Sequence, residues 1–341
     1  MVCELLWLSA ILAAPGDAWA RYDAAQSHMG TKFEIVVYTS GDELAQEAFQ
    51  AGFERIAELN LVMSDYVSES ELSRLSNSSP TTSPVKVSDD LFVVLAAADA
   101  LSRRSEGAFD VTVGPLTKLW RRARRRGEFP ATDLLQAARA ATGFRYLRLD
   151  AMNQSVELLV PQMRLDLGGI AKGYAADEAL RVMANLGVTR AIVNAGGDVV
   201  AGDAPPGEIG WRIGVASLEE DAPPRRFLRL ANAAVATSGD LWQYVEIDGV
   251  RYSHILDPKT GLGLTTRSSV TIFAPTGIAA DSLASAVSVL GPVAGLKLVE
   301  ETPQTEAMIL THINGGSKEF QSTGFEHRLE ATADPAKGAK K

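Results

Sequence analysis

The spacing of hydrophobic residues along the chain switches repeatedly between the period of a β-strand and that of an α-helix. The segment "KFEIVVY" at 32–38 alternates apolar and polar residues, which is typical of a half-buried strand. Residues 42–63 carry their apolar side chains at helical spacing. A second helix is predicted over 89–106, with Ser88 as its N-cap and Gly107 near its end.

The later part of the chain continues this alternation. Residues 190–202 are predicted to form one buried strand, interrupted by Gly196-Gly197 either as a bulge or at a close backbone approach. Further strands are predicted at 146–150, 155–160, 210–215, 227–239 and 268–275, a hairpin at 242–257, and a helix at 278–290 that ends at Gly291-Pro292. Neither a repeat nor a clean linker divides the chain. We therefore predict a mixed α/β fold with one domain over 21–330 and a disordered polar tail at 331–341.

The composition is that of an ordinary soluble globular protein, with 46% apolar and 22% charged residues. A formal net charge of −9 argues against a nucleic-acid-binding protein. The segment "WRRARRR" at 120–126 is a local exception with five arginines. Such a run is typical of a solvated helix face, and the alternative is a site for an acidic partner or a phosphate.

Residues 1–20 have the features of an export signal. An apolar run at 5–14 is long enough for a signal peptide but short for a membrane span, and "AWA" at 18–20 fits a cleavage site. Glu4 and the lack of a basic residue before this run do not fit, so either the start is misassigned or the signal is not a standard one. We predict export, to the periplasm or the outer face of the cytoplasmic membrane, with membrane association if the leader is not cleaved.

The single cysteine, Cys3, lies inside this leader. A mature chain that begins near Arg21 would have no thiol. This excludes a disulfide, a thiolate nucleophile and a cysteine metal site.

The stretch "RLDLGGIAKGYAADEAL" at 164–180 is predicted to pass from a strand through paired glycines into a helix. Glycines at such a junction let the backbone approach a ligand, and the helix start presents free N–H groups to an anion. Asp166 could accept a hydrogen bond from a ligand ring, and Lys172 could neutralise a phosphate. The stretch matches neither a P-loop nor a dinucleotide fingerprint, and the alternative is a tight turn with a surface lysine.

Two other segments could carry chemistry. Asp281 and Ser285 are four residues apart, so on a helix they share one face and could bind Mg²⁺, although such a pair is also common on ordinary surfaces. His254, in "RYSHILDPKTG", is either a proton acceptor or a hydrogen-bonded structural residue.

Eight segments, taken in chain order, resemble the FAD:protein FMN transferase (ApbE) family. They are "MGTKFEI", "MSDYVSESELSRL", "GAFDVTVGPLTKLW", "DLGGIAKGYAAD", "NAGGD", "ATSGD", "YSHILDPKTG" and "AADSLASAVSVLG", and they run from about Met29 to Gly291. The resemblance implies β-sheet and helix subdomains around a central flavin cleft. It also implies that FAD is the substrate, Mg²⁺ the cofactor and AMP the released product. FMN would pass to a Ser or Thr hydroxyl of an acceptor protein, such as an electron-transfer or reductase subunit.

The same resemblance implies roles for individual residues. Mg²⁺ would bind the carbonyl of Gly169 and the side chains of Asp281 and Ser285, with serine in place of the more usual threonine. Ala284 stands where some members have an acidic residue, which could lower metal affinity or leave that place to water. His254 is the candidate base, and Asp281 is counted with it as catalytic. FAD contacts would come from Met29, Tyr66, Ala108, Phe109, Asp110, Asp166, Lys172, Gly196, Gly197 and Ile255.

Two alternatives use the same site. One is a Mg²⁺-dependent FAD pyrophosphatase that releases FMN and AMP. The other is a non-catalytic FAD carrier, which would have no need of the metal-binding helix face at Asp281 and Ser285.

Overall fold

The computed structural model describes residues 19–215, 224, 226–239, 243–313 and 316–330. The predicted leader lies outside the described residues except for Trp19 and Ala20, and the predicted tail at 331–341 lies outside them entirely.

Helices and strands are interleaved along the described chain. The helices are α1 Asp42–Met63, α2 Glu71–Asn77, α3 Asp89–Arg104, α4 Gly114–Arg126, α5 Thr132–Ala140, α6 Ala171–Asn185 and α7 Gly277–Glu300. The strands are β1 Ala20–His28, β2 Thr31–Thr39, β3 Val85–Lys86, β4 Leu147–Asp150, β5 Ser155–Leu158, β6 Ala191–Ala195, β7 Asp198–Ala201, β8 Trp211–Gly214, β9 Phe227–Leu230, β10 Ala233–Gly239, β11 Tyr244–Ile247, β12 Val250–Ser253, β13 Leu256–Asp257, β14 Leu262–Gly263, β15 Ser268–Ala274, β16 Glu306–Ile313 and β17 Gly316–Gln321.

The main sheet has eight strands in the order β1-β2-β6-β7-β10-β15-β16-β17, and all neighbours are antiparallel. One face packs against α1, α6 and α7. Phe33, Ile35 and Val37 of β2 are fully buried on that face, as the alternation in "KFEIVVY" predicts. The opposite face packs against β8, β9 and Phe325. The mixed α/β class is confirmed.

Helix α4 lies on a separate small core. Leu116 and Trp120 pack with Val245 and Ile247 of the β11–β12 hairpin, and the Trp120 indole N–H donates to the Gly261 carbonyl at 2.8 Å. This contact fixes the basic run beside the segment that carries His254.

Two strand predictions were wrong. Residues 190–202 form a hairpin, β6 and β7, because Gly196 and Gly197 both adopt positive φ and turn the chain back on itself. Residues 227–239 form two strands, because Asn232 takes a positive φ and the chain passes from the β8–β9 pair into the main sheet.

Two other boundaries also differ from prediction. The segment before the paired glycines is not a strand, since Arg164 makes only an isolated bridge with Val113. The helix predicted to end at Gly291-Pro292 bends there instead, at a φ of 72° for Gly291, and continues to Glu300. Proline is tolerated at this point because a new helical segment begins there.

Helices α6 and α7 cross at a pair of glycines. A Cβ on Gly173 would lie 2.1 Å from the Gly277 carbonyl oxygen, and a Cβ on Gly277 would lie 2.4 Å from the Gly173 carbonyl oxygen. The two backbones are therefore in direct contact, which brings the first turn of α6 against the first two turns of α7.

Among the described residues, α7 is the one helix long and apolar enough to cross a membrane. Half of its most apolar window is buried inside the protein. Its apolar character is explained by its position under the main sheet.

Candidate functional site

The first turn of α6 and the second turn of α7 bring a lysine and an aspartate together. Both carboxylate oxygens of Asp281 lie 3.4 Å from Lys172 Nζ, and Oδ2 accepts a hydrogen bond of 3.1 Å from the Gly173 N–H. Asp281 is 5% exposed, and the Lys172 side chain is 25% exposed. Neither residue belongs to the ordinary surface.

The Gly169 backbone and the Ser285 hydroxyl lie beside this pair. A Cβ at Gly169 would sit 2.7 Å from Ser285 Oγ, so the two residues are in contact. In a regular helix the Gly173 N–H would donate to the Gly169 carbonyl, but here it donates to Asp281. Within the described ranges no hydrogen bond reaches the Gly169 carbonyl oxygen. This oxygen is therefore available to a ligand, as the assignment of Gly169 to a metal requires.

Asp198, the first residue of β7, completes a cluster with Lys172 and Asp281. It accepts a hydrogen bond from Lys172 Nζ, and its side chain is 7% exposed. Burial and the nearby charge of Asp281 raise the pKa of Asp198, while the Lys172 ammonium opposes the shift. Burial alone would lower the pKa of Lys172, but the carboxylates of Asp281 and Asp198 raise it. One ammonium is thus held between two carboxylates, and we call these three residues the charge cluster.

Asp177 of α6 holds the start of α7 in place. Its two carboxylate oxygens accept hydrogen bonds from the Gly277 N–H at 2.7 Å and the Ile278 N–H at 2.9 Å. These are free donors at the start of α7, so Asp177 of α6 acts as a cap for the helix that carries Asp281 and Ser285.

The cap makes stability depend on pH. Burial raises the pKa of Asp177 to about 6, whereas the pKa of an aspartate in the unfolded chain is about 4. Its contribution to stability is therefore present below about pH 4 and is lost as the pH rises through about 6. We expect the free energy of unfolding of the wild type, relative to Asp177→Asn, to fall between pH 4 and 7. Urea unfolding of both proteins measures this, and parallel pH curves would contradict it. At pH 4, where the contribution of Asp177 is present, Asp177→Ala is expected to lose about 0.5–2 kcal/mol, as for other caps.

A second group of residues surrounds Tyr66. The Arg121 guanidinium lies 4.1 Å from the centroid of the Tyr66 ring, donates to Asp166 at 3.2 Å and pairs with Asp65. Tyr66 is 77% exposed, so most of its surface is open to a ligand. Asp166 also accepts from the Gly168 N–H at 2.9 Å. Arg121 therefore joins two of the predicted FAD contacts.

The basic run is divided between two environments. Arg122, Arg125 and Arg126 are exposed, as expected for a solvated helix face. Arg121 and Arg124 are half-buried on the side of α4 that faces Tyr66. The solvated-face interpretation thus holds for only part of the run.

The run Ala108-Phe109-Asp110 lies beside the 166–169 loop, since the Asp166 N–H donates to the Val111 carbonyl at 2.8 Å. Phe109 Cε2 lies 3.5 Å from the position of a Cβ at Gly169. The Asp110 carboxylate accepts from Thr112 and from the Phe144 N–H, and it is buried. Its side chain therefore holds two loops together, and a contact with FAD would have to come from its backbone.

His254 lies between β12 and β13, with Nδ1 3.1 Å from the Gln243 carbonyl oxygen. A carbonyl can only accept, so Nδ1 carries the proton and Nε2 of the neutral ring is left as an acceptor. Burial lowers the pKa of His254 to about 4, although the hydrogen bond to Gln243 opposes the shift. The ring is therefore neutral at pH 7 and can take a proton.

The positive charges of Arg124 and Lys172 also lower the pKa of His254. The ring is thus within electrostatic reach of both the charge cluster and the Tyr66 group. Ile255, next in the chain, has its N–H bonded to Ser253 Oγ at 3.1 Å. The structure brings this segment to the same region as the 166–172 loop.

Two turns lie together at one end of the main sheet. Met29 stands in the β1–β2 turn with a φ of 49°, and Gly196 and Gly197 form the β6–β7 turn. A Cβ on Gly196 would lie 2.2 Å from Thr31 Oγ1, so the two turns touch. Asp198 follows directly, which connects this end of the sheet to the charge cluster.

A groove of about 620 Å³ lies on the opposite face of the sheet. Asn194 lines it, whereas its neighbours Val193 and Ala195 pack under the helices. Gly197 also lines the groove, but Lys172 and Asp281 do not. The groove and the charge cluster are therefore separate features.

All of the predicted site residues lie in a region of the chain that matches a known protein family. The model of the ApbE family matches residues 29–309, a range that includes every predicted site residue. The chain belongs to the ApbE family.

Proteins of the ApbE family that are similar to this chain cover most of its length. The FAD:protein FMN transferase of Vibrio cholerae serotype O1 is 32% identical over 330 residues, which is 94% of this chain and 98% of that protein. The one from Haemophilus influenzae is 31% identical over 296 residues, 84% of this chain and 86% of that protein. The structure of the flavin transferase ApbE from Vibrio cholerae has a TM-score of 0.80 at 30% identity and covers 91% of this chain and 100% of its own. The apo flavinyl transferase ApbE from Pseudomonas stutzeri has a TM-score of 0.80 at 29% identity, with 98% and 100% covered.

The oxygen donors present in this ApbE-family chain fit Mg²⁺. No group of three carboxylate, histidine or cysteine side chains that could hold a metal occurs in the part of the chain that the structure describes. The donor set is instead the Asp281 carboxylate, the Ser285 hydroxyl and the free Gly169 carbonyl. Mg²⁺ prefers oxygen and usually keeps waters and substrate phosphates as further ligands, so a set with a single carboxylate is sufficient. Ala284 is buried and adds no donor.

Sequence reasoning missed two residues of the site. In the segment "NAGGD" the predicted FAD contacts are the two glycines, whereas the structure also places Asp198 in the site. The signal was its position directly after a glycine turn at the end of a buried strand. Arg121 was hidden in a run that looked uniformly solvated, and only its contacts with Tyr66 and Asp166 separate it from its neighbours.

Proposed function

We propose that this chain transfers the FMN part of FAD to a Ser or Thr hydroxyl of an acceptor protein, with Mg²⁺ as cofactor and AMP as the released product. The observation that carries the proposal is the placement of the charge cluster and the Gly169–Ser285 pair on neighbouring turns of α6 and α7, the loop before α6 and the start of β7, in a member of a family whose curated relatives are named FAD:protein FMN transferase.

Asp281, Ser285 and the Gly169 carbonyl would hold the metal. When bound there, Mg²⁺ supplies positive charge to the pyrophosphate oxygens and to the departing phosphate. The protein's own task is then to position the reactants and to neutralise charge, because phosphoryl transfer needs little covalent help from the enzyme. Lys172 adds a fixed positive charge beside the same place.

The acceptor hydroxyl forms a new P–O bond to the phosphorus of FMN, and the P–O bond to AMP breaks. The hydroxyl proton goes to Nε2 of His254, the one ring nitrogen free to accept it. AMP keeps the bridging oxygen of the pyrophosphate. The exposed ring of Tyr66 offers a surface on which a flavin or adenine ring can stack.

The two alternatives differ in what receives the FMN. Hydrolysis requires only that water take the place of the hydroxyl, so the same residues would serve. A carrier has no use for a buried pair of carboxylates around a lysine, since burying charges has an energetic cost that binding alone does not require.

One experiment separates these functions. The protein is incubated with FAD, MgCl₂ and a candidate acceptor with an exposed Ser or Thr, and the intact mass of the acceptor and the free nucleotides are measured. An added FMN mass, absent when the acceptor residue is changed to Ala, supports the transferase. Free FMN and AMP alone would show the pyrophosphatase, and intact FAD the carrier.

The assignment of His254 as the base predicts both a rate loss and a pH profile. His254→Gln is expected to slow transfer by about 100- to 10,000-fold, as for other general bases, and to change FAD affinity little. Because burial lowers the pKa of His254 to about 4, wild-type kcat/KM is expected to stay level down to about pH 5.5 and to fall only as the pH approaches about 4. An acid limb centred near 6.5, the pKa of free histidine, would contradict this role.

We further propose that the acceptor is an exported electron-transfer or reductase subunit. This part of the proposal is supported by the leader-like features of residues 1–20 and by the lack of cysteine after Cys3. A test is the location of a tagged full-length protein in fractionated cells, since retention in the cytoplasm would exclude it.

A further inference from the structure

The charge cluster has more negative charge than its lysine requires. Lys172 donates to Asp198 at close range, while both oxygens of Asp281 stand farther off at 3.4 Å. One carboxylate would be enough to neutralise one ammonium. A second carboxylate, with only 6% of its side chain exposed, is unfavourable unless another cation balances it.

We propose that Asp198 is a positioning residue that holds Lys172 back from Asp281 and so leaves the Asp281 carboxylate available to a divalent cation. The proposal rests on the proposed function, because it takes Asp281 as a metal ligand. Lys172 and Asp281 already form an ion pair at 3.4 Å, and without Asp198 the Lys172 ammonium would move closer to the Asp281 carboxylate and pair with it alone. A cation would then have to displace that pair.

The location of Asp198 suits this role. It is the first residue of β7 and pairs with Ala195 of β6, inside the eight-stranded sheet. Its main chain is therefore fixed by the sheet, whereas Lys172 reaches it through a long flexible stem. Asp281 stands on α7, whose start is held by Asp177. The two carboxylates thus occupy rigid elements, and the ammonium is the group that can move between them.

The net charge of the cluster also indicates that Asp198 favours binding of a divalent cation at Asp281. Lys172, Asp198 and Asp281 sum to −1, and Mg²⁺ would bring the site to +1, ready for the negative pyrophosphate of FAD. In Asp198→Asn, Lys172 and Asp281 would form a neutral pair that has little attraction for Mg²⁺. Asp198 therefore matters for metal binding without touching the metal, as residues behind the metal ligands often do.

The test is a titration of MgCl₂ into the FAD-free, full-length protein, followed by calorimetry. Four proteins are compared: wild type, Asp198→Asn, Lys172→Met and the double variant. Asp198→Asn is expected to weaken Mg²⁺ binding by about 10- to 100-fold, the usual range for residues that support metal ligands. In the Lys172→Met background, Asp198→Asn is expected to change Mg²⁺ affinity by less than about threefold, because no ammonium remains that could move closer to Asp281.

Asp203→Asn is the matched control. It removes the same charge two residues beyond the end of β7, where Asp203 accepts a hydrogen bond from Asn232. It is expected to leave Mg²⁺ affinity at the wild-type value. If Asp198→Asn does not fold, Asp198→Ser gives the same comparison with a smaller side chain.

Three results would overturn the proposal. One is wild-type Mg²⁺ affinity in folded Asp198→Asn or Asp198→Ser, and another is an equal loss with and without Lys172, which would mean that Asp198 acts only by its own charge. The third is a wild-type protein that does not bind Mg²⁺. Transfer to an acceptor is scored separately by mass, so a protein that binds Mg²⁺ with the expected pattern but modifies no acceptor would refute the proposed function and leave this inference standing.

Discussion

Asp281→Ala is expected to reduce FMN transfer by about 100- to 1,000-fold or more, the loss typical when one group that stabilises transition-state charge is removed. FAD affinity is expected to change less than about tenfold, because Tyr66, Asp166 and Lys172 remain. The fold should persist, since Lys172 still pairs with Asp198 and no buried charge is left alone. Transfer is measured by acceptor mass, and FAD binding by flavin fluorescence.

Ser282→Ala is the matched control for this variant. Ser282 follows Asp281 on the same helix, is equally buried, and donates to the Ile278 carbonyl of its own helix. Its loss should leave transfer unchanged. Full activity of Asp281→Ala, or of the wild type in excess EDTA, would refute the metal assignment.

Gly173→Ala is expected to damage both stability and activity. The new Cβ would lie 2.1 Å from the Gly277 carbonyl oxygen and 2.9 Å from Asp281 Cβ, so α7 has to move away. Overpacking of this kind lowers the free energy of unfolding by about 1–3 kcal/mol. The better helix propensity of alanine offsets about 1 kcal/mol of this loss. Because Asp281 and Ser285 move with α7, transfer is expected to fall by about 100-fold, as when reacting groups shift by about 1 Å.

Urea unfolding and the mass assay measure these two effects on the same protein. Gly316→Ala is the control, because its Cβ would meet no atom within 4 Å and its φ is not positive. It should leave stability and transfer unchanged. If Gly173→Ala also leaves stability and transfer unchanged, the backbones of α6 and α7 are not in direct contact at Gly173 and Gly277.

Local sequence patterns predicted the elements that depend on local physics. The alternation in "KFEIVVY" and the helical spacing over 42–63 correspond to β2 and α1, and Ser88 caps α3 by accepting from the Leu91 N–H. The Asp248-Gly249 turn of the β11–β12 hairpin was also predicted correctly. In each case the residues that determine the structure are within a few positions of one another.

The predictions that were wrong concern partners distant in sequence. An apolar run with two glycines, such as 190–202, is compatible with a bulged strand or with a hairpin, and strand pairing with β2 and β10 decides between them. In the same way, α7 continues beyond Gly291-Pro292 because Leu298 and Val299 have a core to pack against.

By itself, the sequence determined the α/β class, most helices and strands, and, through eight ordered segments, membership of the ApbE family. It also placed Gly169, Asp281 and Ser285 in one proposed site. Only the tertiary structure decided that Lys172 is shared by two carboxylates, that Asp198 is one of them, and that Arg121 lies on Tyr66. The physical reason is that a side chain's charge and exposure depend on what packs against it, and here that packing joins residues 26 to 109 positions apart.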